Sequence, residues 1–210
     1  MSVASPGRAL RLAGLGLGIA YPAFAVTFRG TRRHFWQRMS WTAATLGGLA
    51  LLGRPELRSE RWHRQDLGLG AAIAAGMYVT FAVGDRAARR LMPKGDEEIK
   101  DIYALRQARP TPELLLRIAL LIAPSEELFW RGLVQRDLAE RYGPTQGALL
   151  ATALYGGAHL GTGNATLVGA ATVAGGAWSA LARVGVPMPA LVASHIIWDI
   201  WIFLIRPTGS

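Results

Sequence analysis

The sequence contains no cysteine, so disulfide bonds and thiolate chemistry are excluded throughout its 210 residues. It also lacks the polar–apolar alternation that predicts strands, and an open sheet edge cannot lie in lipid. Charged residues make up only 18% of the chain. They are concentrated in short connections, and the runs between those connections are long and nearly uncharged.

These apolar runs have the length of membrane spans. A helix that crosses a bilayer needs roughly 20 mostly apolar residues, and Met39–Gly53 is short enough to be either a thin span or a re-entrant segment. A soluble bundle is disfavoured because too many consecutive runs lack a polar face. The sequence therefore predicts an all-α fold, a polytopic transmembrane helical bundle with six to seven spans. The six longer runs are Leu10–Phe28, Leu67–Gly84, Glu113–Val134, Thr145–Gly161, Ala165–Leu181 and Pro189–Ile205.

The net charge of +9 comes from arginines and lysines at the ends of these runs, as in "RGTRRHFWQR" and "RPELRSERWHR". Basic residues in such positions control topology and contact anionic lipid headgroups. No basic domain interleaved with aromatic residues remains to bind nucleic acid. We therefore expect the lipid bilayer as a partner, no nucleic acid, and a multi-pass protein of the cell (plasma) membrane.

The longest polar connection, Asp85–Pro112, divides the chain. Residues 1–110 are predicted to form amino-terminal membrane helices with basic connections. Residues 111–210 hold every polar group that we expect at membrane depth. Pro124 lies within one of these runs and predicts an irregular helix, because a proline removes a backbone hydrogen bond.

One of the runs contains two adjacent carboxylates and an arginine, in "SEELFWR" at residues 125–131. Ionisable groups inside a span are costly and indicate function. Glu127 and Arg131 are four residues apart, so they share a helix face and can pair. Glu126 is rotated by about 100° from Glu127, which leaves it as the free carboxylate and a candidate general base.

Two histidines occur in later runs, each with a polar partner at helical spacing. Tyr155 and His159 lie four residues apart in "YGGAH", and His195 and Asp199 do so in "SHIIWD". Each histidine alone fits a helix-bridging role as well as a catalytic one. The conjunction of a glutamate pair and two histidines on three separate runs favours one shared site.

In this order, "EELFWR", "YGGAH" and "HIIWD" resemble the three motifs of the CAAX protease and bacteriocin-processing (CPBP) intramembrane protease family. The family pattern is Glu-Glu-x-x-x-Arg, then aromatic-x-x-x-His, then His-x-x-x-Asn/Asp. The resemblance covers about Pro112–Ile205. Tyr155 stands where phenylalanine is usual, and Asp199 stands where asparagine is common.

The resemblance implies hydrolysis of peptide bonds within the membrane, on a peptide or membrane-protein substrate that is membrane-associated or lipidated (CAAX-like). Residues 111–210 would then be a CPBP-like protease core. By motif position, Glu126 would activate water with help from His159. His195 and Asp199 would stabilise the tetrahedral intermediate or the water, and Glu127 and Arg131 would support the site by holding the helix geometry.

Metal dependence stays open at this point. No cofactor is required by the motifs, yet Glu126, His159 and His195 could also hold zinc, with water as a fourth ligand. The chain has no His-Glu-x-x-His pair to favour zinc. The sequence is therefore compatible with either a glutamate or a metallo-endopeptidase mechanism.

Two other classes of function fit the same runs. The first is a non-catalytic membrane protein that binds a partner, such as a bacteriocin-immunity protein. The second is a small proton-coupled transporter, although transporters usually show inverted repeats, which this sequence lacks. Glu126, His159 and His195 together favour the enzyme.

Overall fold

The computed structural model describes residues 6–207, which form helices and loops without strands. Four of the described helices are long and apolar enough to cross a membrane, over Gly7–Arg29, Arg64–Leu91, Ala165–Arg183 and Met188–Ile205. The predicted class, an all-α polytopic helical bundle, is confirmed. We number the helices α1 (Pro6–Arg29), α2 (Phe35–Gly53), α3 (Arg64–Leu91), α4 (Gly95–Ala104), α5 (residues 111–142), α6 (Pro144–Ala158), α7 (Ala165–Arg183) and α8 (Met188–Ile200, continued by a π-helical turn Trp201–Ile205).

Helix α5 carries the glutamate pair and is irregular. Two π-helical turns, Ile118–Ile122 and Leu128–Gln135, interrupt its α-helical geometry on either side of Ala123–Glu127. Pro124 lacks the N–H that would bond to the carbonyl of residue 120, and a π-helical pattern shifts the bonding by one residue. The irregularity that Pro124 predicted therefore takes the form of a wider turn directly before it.

Polar contacts between helix ends define two ends of the bundle. At one end, which we call the α4 end, Arg117 on α5 donates to Ser40 on α2 over 2.7 Å. At the opposite end, Arg54 after α2 pairs with Glu140 on α5 over 2.6 Å. All helices except α4 run between these ends. Because only four helices within residues 6–207 meet the length and hydropathy of a span, the count of six to seven spans stays a prediction.

The interior formed by residues 6–207 contains two apolar clusters. Leu114, Ile118 and Trp130 of α5 pack with residues of α1 and α2. Trp178 of α7 and Trp198 of α8 pack with α3. Only 17% of the most apolar window of α3 is buried inside the bundle, so most of its apolar surface faces outwards, as in a helix solvated by lipid.

The predicted connection Asp85–Pro112 was wrong in its first part, because α3 continues to Leu91 and α4 follows at Gly95. Helix α4 caps α7: Glu98 accepts hydrogen bonds from the Thr166 amide (2.8 Å), the Thr166 hydroxyl (2.6 Å) and the Ala165 amide (3.2 Å). The hydrogen bond from the Thr166 side chain lowers the pKa of Glu98 below its ordinary value. The acidic first turn of α4 was the sequence signal for this helix.

Candidate active site

Four of the six predicted site residues line one cavity of about 550 Å³ that extends to the α4 end of the bundle, whereas Glu127 and Arg131 do not line it. Glu126, His159, His195 and Asp199 all contribute to its wall, and none of them is more than 9% exposed. The structure thus brings these four side chains together at one cavity. Most of the remaining wall is apolar and aromatic, and part of it comes from the amino-terminal helices, including Phe24, Phe28, Phe35, Trp36, Met39 and Phe81.

Glu126 is held by a residue of another helix. The hydroxyl of Tyr155 on α6 donates to Glu126 Oε2 over 3.0 Å. The Tyr155 ring itself packs edge-on against Trp130, and the guanidinium of Arg131 lies 4.9 Å from its centre. Tyr155 therefore fixes one oxygen of Glu126, a contact that phenylalanine at this position could not make.

His159 directly follows α6 and has a defined tautomer. Its Nδ1 lies 2.9 Å from the carbonyl oxygen of Tyr155. Because a carbonyl can only accept, Nδ1 carries the proton of the neutral ring and Nε2 is left as an acceptor. The rings of Phe24 and Phe28 pack around the imidazole. His159 can therefore accept a hydrogen bond from a molecule in the cavity.

Glu127 and Arg131 pair as predicted, with Arg131 Nη1 3.2 Å from Glu127 Oε1. Both side chains are almost completely buried. Arg131 Nη2 also donates to the carbonyl oxygen of Gly175 on α7 over 3.2 Å. The same Glu127 oxygen lies 2.8 Å from His195 Nδ1 on α8. Glu127 on α5 thus contacts His195 on α8 directly and is connected to α7 through Arg131.

Asp199 lies on the other side of the His195 ring, with Oδ2 3.6 Å from Nε2. This is an ion-pair distance but longer than a hydrogen bond. Trp178 of α7 stacks on the imidazole, with ring centres 4.1 Å apart and planes 22° apart. Its indole N–H donates to Ser194 Oγ over 2.9 Å, which fixes the stack.

Sequence reasoning missed the contacts that join different helices. The hydrogen bonds of Tyr155 to Glu126 and of Glu127 to His195 link residues 29 and 68 positions apart. Trp178 lies in no motif, and no sequence signal marked it. Asp85, which the sequence placed in a polar connection, is a buried residue of α3 on the cavity wall and pairs with Arg89.

The residues do not fit the predicted zinc set. Within residues 6–207, no three His, Asp or Glu side chains are grouped closely enough to hold a metal ion. His195 presents both ring nitrogens to carboxylates, and His159 keeps only Nε2 outside its hydrogen bond with the backbone. We therefore derive no chemical step through a metal at Glu126, His159 and His195.

The fold and this cavity define a helical membrane protein with a polar site among apolar helices. Residues 109–201 match the family model described as Rce1-like, type II CAAX prenyl endopeptidase Rce1-like. This segment contains all six predicted site residues. The resemblance to the CPBP family is confirmed over the segment, and at family level it supports a CAAX-type intramembrane protease. Comparisons with curated proteins and with solved structures gave no match.

Proposed function

We propose that this chain is an intramembrane endopeptidase of the cell membrane that hydrolyses peptide bonds in a membrane-associated or lipidated, CAAX-like substrate. One observation carries the proposal: Glu126, His159, His195 and Asp199 line the same largely apolar cavity. Apolar walls with a few convergent polar groups are typical of a substrate site. Residues 111–210 are the proposed protease core, and residues 1–110 supply part of the apolar wall.

Glu126 is the proposed general base. Its carboxylate takes a proton from water, and the water oxygen bonds to the carbonyl carbon of the scissile peptide. Tyr155 holds Oε2, which leaves the other oxygen outside this hydrogen bond and available to the water. The Nε2 acceptor of His159 orients the same water. When the C–N bond breaks, the proton on Glu126 passes to the leaving amine.

His195 is the proposed donor to the oxyanion that forms in the transition state. Glu127 fixes the ring through the 2.8 Å contact at Nδ1. The 3.6 Å separation at Nε2 is longer than a hydrogen bond. The Nε2 proton of the doubly protonated ring can therefore bond to a substrate oxygen beside Asp199, and the Asp199 carboxylate stabilises the imidazolium charge. Arg131 acts through Glu127, which it holds in place, and is therefore a positioning residue.

The test is cleavage of a membrane-anchored peptide by purified protein in nanodiscs, with products identified by mass spectrometry. We expect the wild-type protein to cleave, with and without a chelator, and Glu126→Ala to leave the peptide intact. Cleavage that is lost on chelation and restored by zinc would overturn the glutamate mechanism. Absence of cleavage across a panel of lipidated and unmodified peptides would favour the non-catalytic binding protein.

A further inference from the structure

A second cavity of about 220 Å³ lies at the end of the bundle opposite α4. It is bounded by the last turns of α5 and α7 and by the first residues of α6 and α8. Three arginines line it, Arg131, Arg136 and Arg183, and no described aspartate or glutamate does. We call it the arginine pocket. Arg131 lines this pocket and not the cavity of the candidate active site.

Two buried polar atoms at the arginine pocket are unsatisfied. Arg131 is 2% exposed, and its Nε has no hydrogen-bond partner among the described residues. The Gln135 amide donates to the Ser179 carbonyl over 2.9 Å, but its Oε1 is also without a described partner. A buried polar atom left without a partner is costly. Both atoms are closed off from the open space of the pocket, so an occupant would bond to the accessible guanidinium groups of Arg136 and Arg183.

The charge of the pocket decides the sign of that occupant. Arg183 forms no ion pair with any described residue and donates only to the Thr145 hydroxyl over 3.0 Å. Arg136 has one carboxylate partner, the half-exposed Glu60 at 3.3 Å. A neutral occupant such as water would leave Arg183 without a counter-charge and Arg136 with only its half-exposed carboxylate partner.

The helix dipoles do not change this conclusion. Helices α6 and α8 begin beside the pocket and present partial positive charge, whereas α7 ends there and presents partial negative charge. These contributions oppose each other, and Glu127 compensates the charge of Arg131. Arg183 and the partly compensated Arg136 therefore set the sign. A guanidinium offers paired N–H donors that match the oxygens of a phosphate.

We propose that the arginine pocket binds a phosphate group, supplied by the headgroup of an anionic phospholipid. The pocket lies at the same end of the bundle as Arg54, Arg58 and Arg61, which belong to the connection between α2 and α3. Basic residues at such an end are attracted to an anionic lipid surface. This site is separate from the proposed peptidase activity, and its test does not use cleavage. Free phosphate has the same chemistry, and the experiment distinguishes the two sources.

The full chain in neutral detergent is titrated with short-chain phosphatidylglycerol, short-chain phosphatidylcholine and inorganic phosphate, and binding is followed by calorimetry. The double variant Arg136→Gln/Arg183→Gln removes two charges from the pocket. The matched control Arg58→Gln/Arg61→Gln removes two charges from exposed side chains at the same end. Arg183→Gln alone is a second test variant, because Arg183 has only its hydrogen bond to Thr145.

We expect saturable binding of phosphatidylglycerol that the pocket variants weaken by about tenfold or more, with less than about a twofold change in the control. Inorganic phosphate that binds with the same dependence on Arg136 and Arg183 would support the site and identify soluble phosphate as its source. The proposal would be overturned if the control pair lowered the affinity for phosphatidylglycerol as much as the pocket variants do. It would also be overturned if neither phosphatidylglycerol nor inorganic phosphate showed saturable binding.

Discussion

His195 lies between two carboxylates, Glu127 at Nδ1 and Asp199 at Nε2, with Trp178 stacked on its face. Glu127 is within hydrogen-bond distance of the ring, at 2.8 Å, whereas Asp199 lies beyond it, at 3.6 Å. In the proposed reaction, Asp199 acts mainly when charge develops on the substrate oxygen. An interaction that forms in the transition state raises turnover more than it raises affinity.

We therefore predict that Asp199→Ala lowers kcat about tenfold to a hundredfold while KM changes little. Asp199→Asn should keep most of the turnover, because an amide of the same size can donate to the oxyanion. Cleavage kinetics of the two variants in matched nanodiscs provide the measurement. Wild-type turnover in the alanine variant would show that Asp199 only packs in the site and does not stabilise the transition state.

Glu127 and Arg131 form a buried pair, so removing one partner leaves an uncompensated charge. We predict that Glu127→Ala lowers the free energy of unfolding by about 3–5 kcal/mol, measured by reversible unfolding in mixed micelles. The control is Glu60→Ala, which breaks a half-exposed pair with Arg136 and should change stability by at most about 1 kcal/mol. Equal effects of the two substitutions would contradict the buried-pair account.

The sequence could predict contacts within one helix but not those between helices. A four-residue spacing places Glu127 beside Arg131 and His195 beside Asp199 in any regular helix. The contacts of Glu126 with Tyr155 and of His195 with Trp178 depend on how α5, α6, α7 and α8 cross. Periodicity carries no information about those crossings, so these partners became visible only in the folded chain.

At the scale of elements, α2 approaches α5 beside the glutamate pair. A Cβ added at Gly47 would lie 2.5 Å from Ser125 Oγ, 2.8 Å from Ser125 Cβ and 3.2 Å from Ser125 Cα. Nothing lies within 4 Å of a Cβ added at the neighbouring Gly48. Small residues are what allow membrane helices to pack this closely, and Ser125 directly precedes Glu126.

We predict that Gly47→Ala lowers the free energy of unfolding by about 1–3 kcal/mol through overpacking and also reduces cleavage, because α5 must shift. Gly48→Ala should be neutral or slightly stabilising, since alanine has the higher helix propensity. Unfolding and cleavage assays on the two variants measure this. Matching effects at Gly47 and Gly48 would show that the close approach of α2 to α5 does not limit either property.

Helix α4 is held on α7 through Glu98, whose lowered pKa has a definite consequence. A carboxyl group with a depressed pKa stabilises the folded state at pH values above its unfolded pKa, here near 4.5. That contribution is lost as the pH falls through the lower folded pKa. The contact between α4 and α7 should therefore loosen only in acid below 4.5.

Spin labels on Lys100→Cys and Ala180→Cys test this prediction, because the chain has no cysteine of its own. The distance distribution between them should be narrow at neutral pH and broaden in acid. Glu98→Gln should broaden it already at neutral pH, and the control Glu97→Gln should behave like the wild type. A narrow distribution for Glu98→Gln at neutral pH would show that other contacts hold α4.

At the scale of the whole molecule, hydropathy predicted the class of the fold because it reports which surfaces face lipid. It could not decide the number of spans, since α2, α5 and α6 are shorter or carry more polar residues than the four helices that qualify. Nor could it predict that aromatic residues of α1 and α2 line the cavity of the carboxy-terminal motifs. Such assembly depends on side-chain packing between distant segments.

In the proposed reaction, Glu126 activates water within this cavity. The most direct measurement is the initial rate of peptide cleavage by Glu126→Gln, beside Glu113→Gln as a control on the same helix. Glu113 bonds to Arg117 and does not line the cavity. We expect Glu126→Gln to cleave about a hundredfold or more slowly than the wild type, whereas Glu113→Gln should stay within about twofold of the wild-type rate. Cleavage by Glu126→Gln at the wild-type rate would contradict this role of Glu126.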